Sequence, residues 1–162
     1  MLRAGEAADV AILTEKGVDD LIAEGRLRPN SRTDVALSFV GVAVKQGAPK
    51  PDIATVDAFK ASLVAARSVA YSKIGASGLY FAGLIERLGI AAQVNAKATV
   101  VASGFTAERL VSGEADLAIQ QISELKVVPG IEVVGPLPAE VQTAAMFSAG
   151  LGSGRGASFA AF

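Results

Sequence analysis

The sequence predicts an α/β protein in which helices cover both faces of a mostly parallel sheet. Short, β-branched apolar runs alternate along the chain with longer segments of helical periodicity. Glycines and prolines separate these segments at short intervals. Repeated strand, helix and strand segments are typical of parallel sheets, because each helical crossover returns the chain to the same edge of the sheet.

The first half of the chain contains two predicted strands and two predicted helices. Residues 8–13 are predicted to form a buried strand, and the helix that follows is predicted to end at Gly25. Residues 35–44 form a long apolar strand candidate, and the prolines and glycine of residues 47–51 indicate a loop after it. Thr55 is a favourable N-cap residue, so a second helix is predicted to begin there.

The second half continues the alternation. Strands are predicted at residues 68–72, 99–102, 117–120, 132–134 and 142–147, and helices at about 79–88 and 106–111. Gly89 and Gly113 are predicted to end these two helices. Beyond them, residues 150–156 carry a glycine at every second position, and residues 159–162 resemble the first turn of a helix. We therefore expect a flexible tail and a natural chain that continues further.

The composition excludes several kinds of function. The 162 residues are 51% hydrophobic, and their formal net charge of −1 is spread without a basic block. Nucleic acid is therefore not expected as a partner. The chain has no cysteine, and its lack of histidine excludes a Ser-His-Asp triad and histidine-based zinc sites. We predict that the chain is not an enzyme, that it has no catalytic or metal-binding residue, and that it needs no cofactor.

One loop is a candidate site for an anion. Residues 72–78 lie between a predicted strand and a predicted helix, and they are small apart from Lys73 and Ile74. Unpaired N–H groups at a helix start attract anions, and the hydroxyl of Ser77 could donate a further hydrogen bond. The alternative interpretation is that Ser77 only caps the helix. The residues leave both interpretations open.

Two consecutive glutamines form the second candidate. Gln120 and Gln121 follow an apolar strand, at the edge where open α/β sheets place their ligands. Their amides would offer neutral donors and acceptors to a polar solute. The competing interpretation is structural, and it expects at least one of the two side chains to face solvent.

Five motifs occur in a fixed order. They are GEAADVAIL at residues 5–13, VGVAVK at 40–45, SVAYS at 68–72 with GASG at 75–78, GEADLAI at 113–119, and GPLP at 135–138 with FSAG at 147–150. In this order they resemble the molybdate-binding type of bacterial extracellular solute-binding protein, which serves ABC importers. The resemblance covers nearly the whole chain.

The resemblance implies the periplasmic-binding-protein type II fold, in which two three-layer α/β/α lobes enclose a ligand. Residues 46–138 would form one complete lobe. Residues 1–45 and 139–162 would form part of the other lobe together with the crossing strands. We therefore expect the chain to lack segments at both ends, including a signal peptide.

The resemblance also implies ligand-binding positions, which are Thr14, Ala76, Ser77 and Gln121. Two of them depart from the family pattern. The family's serine that follows the ADV of residues 8–10 aligns with Leu13, beside Thr14, and the family's strand-end tyrosine aligns with Gln121. These departures leave the identity of the solute undetermined, and a molybdate-like oxyanion is one candidate among small anionic or polar solutes.

The predicted function is that of the solute-binding component of an ABC importer, with an ABC permease as partner and a periplasmic or extracellular location. The N-terminus carries no signal peptide, so this exact chain would remain in the cytoplasm if it were complete. The incomplete lobe predicts a homodimer or strand exchange between copies. Two alternatives stay open: a cytosolic effector-sensing domain of similar fold, and a small-molecule enzyme that holds an anionic group at the Ser77 helix start.

Overall fold

The computed structural model describes residues 8–152 and divides them into two compact units. Within the described residues, unit 1 comprises residues 8–38 and 144–152, and unit 2 comprises Phe39–Thr143. The predicted tail after residue 152 and the first residues of the GEAADV motif lie outside the described residues. The lobe boundaries at residues 46 and 138 stay a prediction.

Seven strands and six helices make up the two units. The strands are β1 (Val10–Thr14), β2 (Thr33–Lys45), β3 (Val69–Ser72), β4 (Ala98–Val101), β5 (Leu117–Gln121), β6 (Ile131–Pro136) and β7 (Ala144–Leu151). The helices are α1 (Glu15–Ala23), α2 (Val56–Ala65), α3 (Ala76–Arg87), α4 (Ala91–Asn95), α5 (Glu108–Val111) and α6 (Ile122–Leu125). Within residues 8–152, a 3-10 turn spans Ala139–Val141.

Unit 1 is built on a pair of antiparallel strands. β1 pairs with β7, with Val10 opposite Leu151, and α1 packs against both strands. Val18 and Leu21 of α1 are buried in the small core of this unit. Gly150 lies against Val18 and Leu27, because a Cβ at this position would come within 2.9 Å of the Val18 side chain and 2.6 Å of the Leu27 side chain.

Unit 2 contains a mixed sheet with the strand order β6-β2-β5-β3-β4. β3 runs parallel to both β4 and β5, whereas β2 runs antiparallel to β5 and β6. The sheet is therefore mixed rather than mostly parallel. The sequence pattern missed this because an apolar strand looks the same in either direction.

Helices cover both faces of the unit 2 sheet. α2 and α3 bury Phe59 and Phe81 in one core together with Ile119 of β5. α5 and α6 bury Leu110 and Leu125 in the core on the opposite face. This three-layer α/β/α arrangement confirms the predicted α/β fold class.

Most predicted helix boundaries agree with the structure. Thr55 caps α2, because its side chain accepts a hydrogen bond from the Ala58 N–H at 3.2 Å. Gly25 follows α1 with a φ of +70°, a conformation that glycine adopts without strain. α3 begins three residues earlier than predicted, and the short helices α4 and α6 were not predicted. Among residues 8–152, no helix has the length and apolar character needed to cross a membrane.

Candidate functional site

The carboxyl ends of β3 and β5 meet at one edge of the unit 2 sheet, because the two strands run parallel. α3 begins at this edge after a turn of three residues. Two hydrogen bonds fix the turn: the Lys73 N–H donates to the carbonyl of Val101 at 2.8 Å, and the Gly75 N–H donates to Ser72 Oγ at 2.9 Å. The start of α3 is therefore held by contacts to the strands beside it.

Gly78 brings the first turn of α3 directly against the end of β3. A Cβ at this position would overlap the carbonyl oxygen of Ser72. Only glycine therefore permits this approach of helix to strand. The close contact sets where the helix N-terminus, with its partial positive charge, lies relative to the sheet edge.

The start of α3 offers unpaired donors. Gly75 is the N-cap residue and provides no side-chain hydrogen bond to the helix. Ser77, the second helical residue, is 5% exposed, and its hydroxyl bonds to no other described residue. Ala76 is exposed. The interpretation of Ser77 as the helix cap is therefore wrong, since the helix begins before it.

Gln121 is buried at the same edge. The residue is 7% exposed, and its Oε1 is fully buried without a hydrogen-bond partner among the described residues. Side chains alternate along a strand, so Gln121 lies on the face of Ile119, which α3 covers. Its amide thus lies on the α3 side of the sheet, at the edge where α3 begins.

Gln120 lies on the opposite face and has a structural role. Its Oε1 accepts hydrogen bonds from the backbone N–H of Thr106 at 2.8 Å and from the Thr106 hydroxyl at 3.0 Å. Thr106 is fully buried. The amide therefore anchors the segment that leads into α5. The expectation that at least one of the two glutamines faces solvent is wrong, because both are at most 7% exposed.

Gln142 supports the strand next to Gln121, a role that the sequence did not predict. Val40 lies opposite Gln121 in the sheet register, and the side chain of Gln142 bonds to the backbone of Val40 and to the carbonyl of Leu137. The hydroxyl of Tyr80 in α3 donates to the carbonyl of Val141 at 2.8 Å. α3 and β2 are thus both tied to the segment around residue 141. No local signal in the sequence indicates these bonds.

The surroundings of the helix start are partly apolar. Ile74 and Leu79 are 71% and 60% exposed, although both are large hydrophobic residues. Lys73 is exposed, and its ammonium group makes no hydrogen bond or ion pair within residues 8–152. The edge therefore combines unpaired donors, a single neighbouring cation and accessible apolar side chains.

Thr14 belongs to unit 1 and is described separately from the three other predicted residues. It ends β1 and caps α1, where its Oγ1 accepts a hydrogen bond from the Gly17 N–H at 3.3 Å. The structure thus places Ala76, Ser77 and Gln121 in one unit at one sheet edge. In the described part of the chain, no group of three or more acidic residues is arranged to hold a metal ion.

Comparison with known proteins gives a match over the full chain. Residues 1–162 match the family described as bacterial extracellular solute-binding protein. Among solved structures, the periplasmic molybdate-binding protein of Azotobacter vinelandii superposes with a TM-score of 0.72 at 21% identity, covering 99% of this chain and 71% of that protein. The spermidine/putrescine-binding protein PotD of Streptococcus pneumoniae superposes with a TM-score of 0.63 at 12% identity, covering 99% of this chain and 62% of that protein. At these identities the superpositions show the fold alone, which confirms the predicted type II arrangement.

A curated relative corrects one prediction. The chain is 42% identical over 148 residues to an aconitate isomerase of a Pseudomonas species. The match covers 91% of this chain, which spans 56% of the length of the relative. The prediction that the chain is not an enzyme, which is based on its lack of histidine and cysteine, is therefore wrong. A relative on the same fold is named for a catalytic activity.

Proposed function

The chain belongs to the bacterial extracellular solute-binding protein family, and from this premise we propose that it binds a small organic polycarboxylate at the start of α3. We further propose that the protein interconverts isomers of that acid. The name of the Pseudomonas relative supports aconitate, a tricarboxylate, as the substrate. This chain spans 56% of that relative, so the activity is proposed for the protein that contains it.

The observation that carries the proposal is the unpaired amide of Gln121. Leaving a buried polar group without a partner costs about 1–3 kcal/mol, so folded proteins rarely keep one without a use. Rotating the side-chain amide by 180° would exchange Oε1 and Nε2, and Nε2 could then donate to a ligand oxygen at the start of α3. Gln121 thereby gives a second reason, independent of the helix terminus, to place a ligand here.

A carboxylate suits the groups at this edge. The first N–H groups of a helix and the hydroxyl of Ser77 are donors that a carboxylate oxygen accepts. The amide of Gln121 adds donor hydrogens without adding charge. The exposed side chains of Ile74 and Leu79 favour a ligand with a carbon skeleton over an inorganic oxyanion, since they offer apolar contact.

Isomerisation of an unsaturated acid needs a group that moves a proton. Shifting the double bond removes a proton from one carbon and returns a proton to another, so the net composition is unchanged. The chain contains neither histidine nor cysteine, which leaves lysine, tyrosine and carboxylate side chains for this step. We propose Lys73, which lies three residues before α3 and bonds to no described partner through its side chain.

Thr14 is retained as a proposed contact of unit 1. Its Oγ1 accepts the hydrogen bond of Gly17, but its own O–H remains able to donate. A hydroxyl that caps a helix can therefore also donate to a ligand oxygen.

A second candidate function is transport without chemistry. The family description favours a solute carried outside the cytoplasm and delivered to an ABC permease. In that case the site would release its ligand unchanged, and a molybdate-like oxyanion would be a candidate. Turnover is what distinguishes this candidate from the isomerase.

The test compares ligands on the purified protein that contains this chain. Thermal unfolding is followed with cis-aconitate, trans-aconitate, sulfate or molybdate, and proton NMR follows conversion of each aconitate isomer. Stabilisation by an aconitate, which is lost in Gln121→Leu and kept in the exposed-site control Gln93→Leu, supports the proposed site. Stabilisation by molybdate alone would support the transport function and contradict the polycarboxylate. If Lys73→Gln slows conversion while binding persists, the assignment of Lys73 stands.

A further inference from the structure

Unit 2 holds a cavity at the end of β5 opposite to the candidate site. The strand begins at Leu117 and ends at Gln121, and the cavity of about 600 Å³ lies at the Leu117 end. It is bounded by the last turn of α2, by the loop that follows β2 and by the segment that leads into β5. It shares no lining residue with the site at the start of α3.

The floor of this cavity is apolar. Val44, Leu110 and Leu117 are among its lining residues but are each at most 5% exposed, so much of its accessible apolar surface comes from Pro49, Pro51 and Ala66. Ala48 and Ala65 form part of the wall, and their small side chains leave the space open. A volume of this size lies in the range of about 300–1,000 Å³ that is typical of small-molecule sites.

The rim of the cavity is positively charged. Its lining includes the cations Lys45, Lys50 and Arg67 but only one carboxylate, that of Asp116. Arg67 pairs with Asp116 and Lys50 pairs with Glu132, each at 2.9 Å, so Lys45 is the lining cation that has no ion pair within residues 8–152. The Lys45 ammonium donates to one backbone carbonyl at 3.2 Å, and it keeps further N–H donors for a ligand. Lys50 is exposed, and its ammonium group has N–H donors beyond the one that its ion pair with Glu132 uses.

We propose that this cavity binds a small amphipathic monocarboxylate, with its hydrocarbon part against the accessible alanine and proline side chains of the lining and its carboxylate at Lys45, beside Lys50. An apolar floor excludes polyanions such as nucleotides, because their charged groups would lose water without gaining partners. Each CH₂ group that the ligand buries in the cavity should raise the affinity about fourfold. An unbranched acid of about eight carbons therefore has enough CH₂ groups for measurable binding. The proposal does not rest on the proposed function of the α3 site.

The experiment uses octanoate as the probe, titrated into the purified chain by calorimetry at low salt. Octanamide tests the carboxylate, and hexanoate tests the apolar contact. We expect Ala65→Leu, which narrows the cavity from the end of α2, to weaken octanoate binding by at least about tenfold. Lys45→Gln combined with Lys50→Gln should weaken it about threefold to fivefold. Lys60→Gln, on α2 but outside the cavity lining, should change it by less than about twofold.

Two further measurements keep the proposal testable. Ala48→Leu also narrows the cavity, because Ala48 lies in the loop after β2. It replaces Ala65→Leu in the binding test if circular dichroism shows that Ala65→Leu does not fold. Gln121→Leu should leave octanoate affinity within about twofold, because its site lies at the other end of β5. The absence of octanoate binding up to about 10 mM would overturn the proposal. Equal binding of octanamide, or undiminished binding by both cavity-narrowing variants, would overturn it as well.

Discussion

The side chain of Gln142 pairs with both backbone groups of Val40. Its Oε1 accepts from the Val40 N–H at 3.2 Å, and its Nε2 donates to the Val40 carbonyl at 2.9 Å. The two residues are 102 positions apart in the chain. A side-chain amide thus takes the place of a neighbouring strand for one residue of β2, directly opposite Gln121 in the register.

This pairing predicts a loss of stability on substitution. Gln142→Leu should lower the free energy of unfolding by about 1–3 kcal/mol, because the N–H groups of Val40 and Thr143 lose their acceptor, while the Val40 carbonyl keeps its bond to the Leu137 N–H. Gln93→Leu on the exposed surface of α4 is the matched control. Urea unfolding measures both variants. A difference between them below about 0.5 kcal/mol would show that water replaces the amide without cost.

The two glycines of α3 predict opposite effects of the same substitution. Gly78→Ala should destabilise the protein by about 1–3 kcal/mol or more, because the new Cβ overlaps the carbonyl oxygen of Ser72. Gly83→Ala should stabilise it by about 0.5–1 kcal/mol, because its Cβ meets only Arg87 at an ordinary 3.6 Å and alanine favours the helix. Thermal unfolding of the pair checks the sign. If both substitutions shifted the melting temperature in the same direction, the result would be incompatible with the close approach of Gly78 to Ser72.

The consecutive glutamines predict a second contrast. Gln121→Leu should leave stability unchanged or raise it, because it removes a buried oxygen that has no partner. Gln120→Leu should cost about 1–3 kcal/mol, because the buried N–H of Thr106 loses its acceptor, while the Thr106 hydroxyl keeps the Ile119 carbonyl at 3.4 Å. Chemical unfolding without ligand measures both. A larger loss for Gln121→Leu than for Gln120→Leu would mean that its amide has a structural role after all.

Glu132 predicts a dependence of stability on pH. Lys50 donates a hydrogen bond to its carboxylate and the Gly47 N–H donates another, which together hold the pKa of Glu132 below its ordinary value of 4.5. The folded protein therefore binds this proton less tightly than the unfolded chain does. The resulting stability is fully present above pH 4.5 and is lost as the pH falls through the lowered pKa.

The variant Glu132→Gln tests this dependence. Its melting temperature should lie below that of the wild type near pH 7, and the two should converge on acidification below pH 4.5. Glu140→Gln is the control, since Glu140 forms no ion pair or hydrogen bond through its side chain within residues 8–152. A difference in melting temperature between the wild type and Glu132→Gln that stays constant from pH 7 to about pH 3 would contradict the lowered pKa of Glu132.

Helix ends with a local signal were predictable from the sequence. Thr55 begins α2 and Gly25 follows α1, and both effects act within a few residues. The start of α3 has no such signal. Gly75, Ser77 and Gly78 look like a loop in sequence, and it is the contact of Gly78 with Ser72 in β3 that lets the helix begin at Ala76.

The candidate site was predictable in its location but not in its chemistry. The positions of Ser77 and Gln121 follow from strand ends in an α/β pattern. Which glutamine is unpaired depends on which face of β5 each side chain occupies, and that depends on the helices packed there. The bonds of Gln142 join segments far apart in sequence, so no local pattern could indicate them.

The alternation of side chains along β5 also has a consequence for how such a protein changes during evolution. Position 121 can accept new side chains under selection for a new solute, since no described fold contact depends on its amide. Position 120 is constrained by folding through Thr106, whatever solute the cell encounters. Among proteins related to this chain, we therefore expect the residue at position 121 to vary with the solute that is bound, while position 120 stays glutamine.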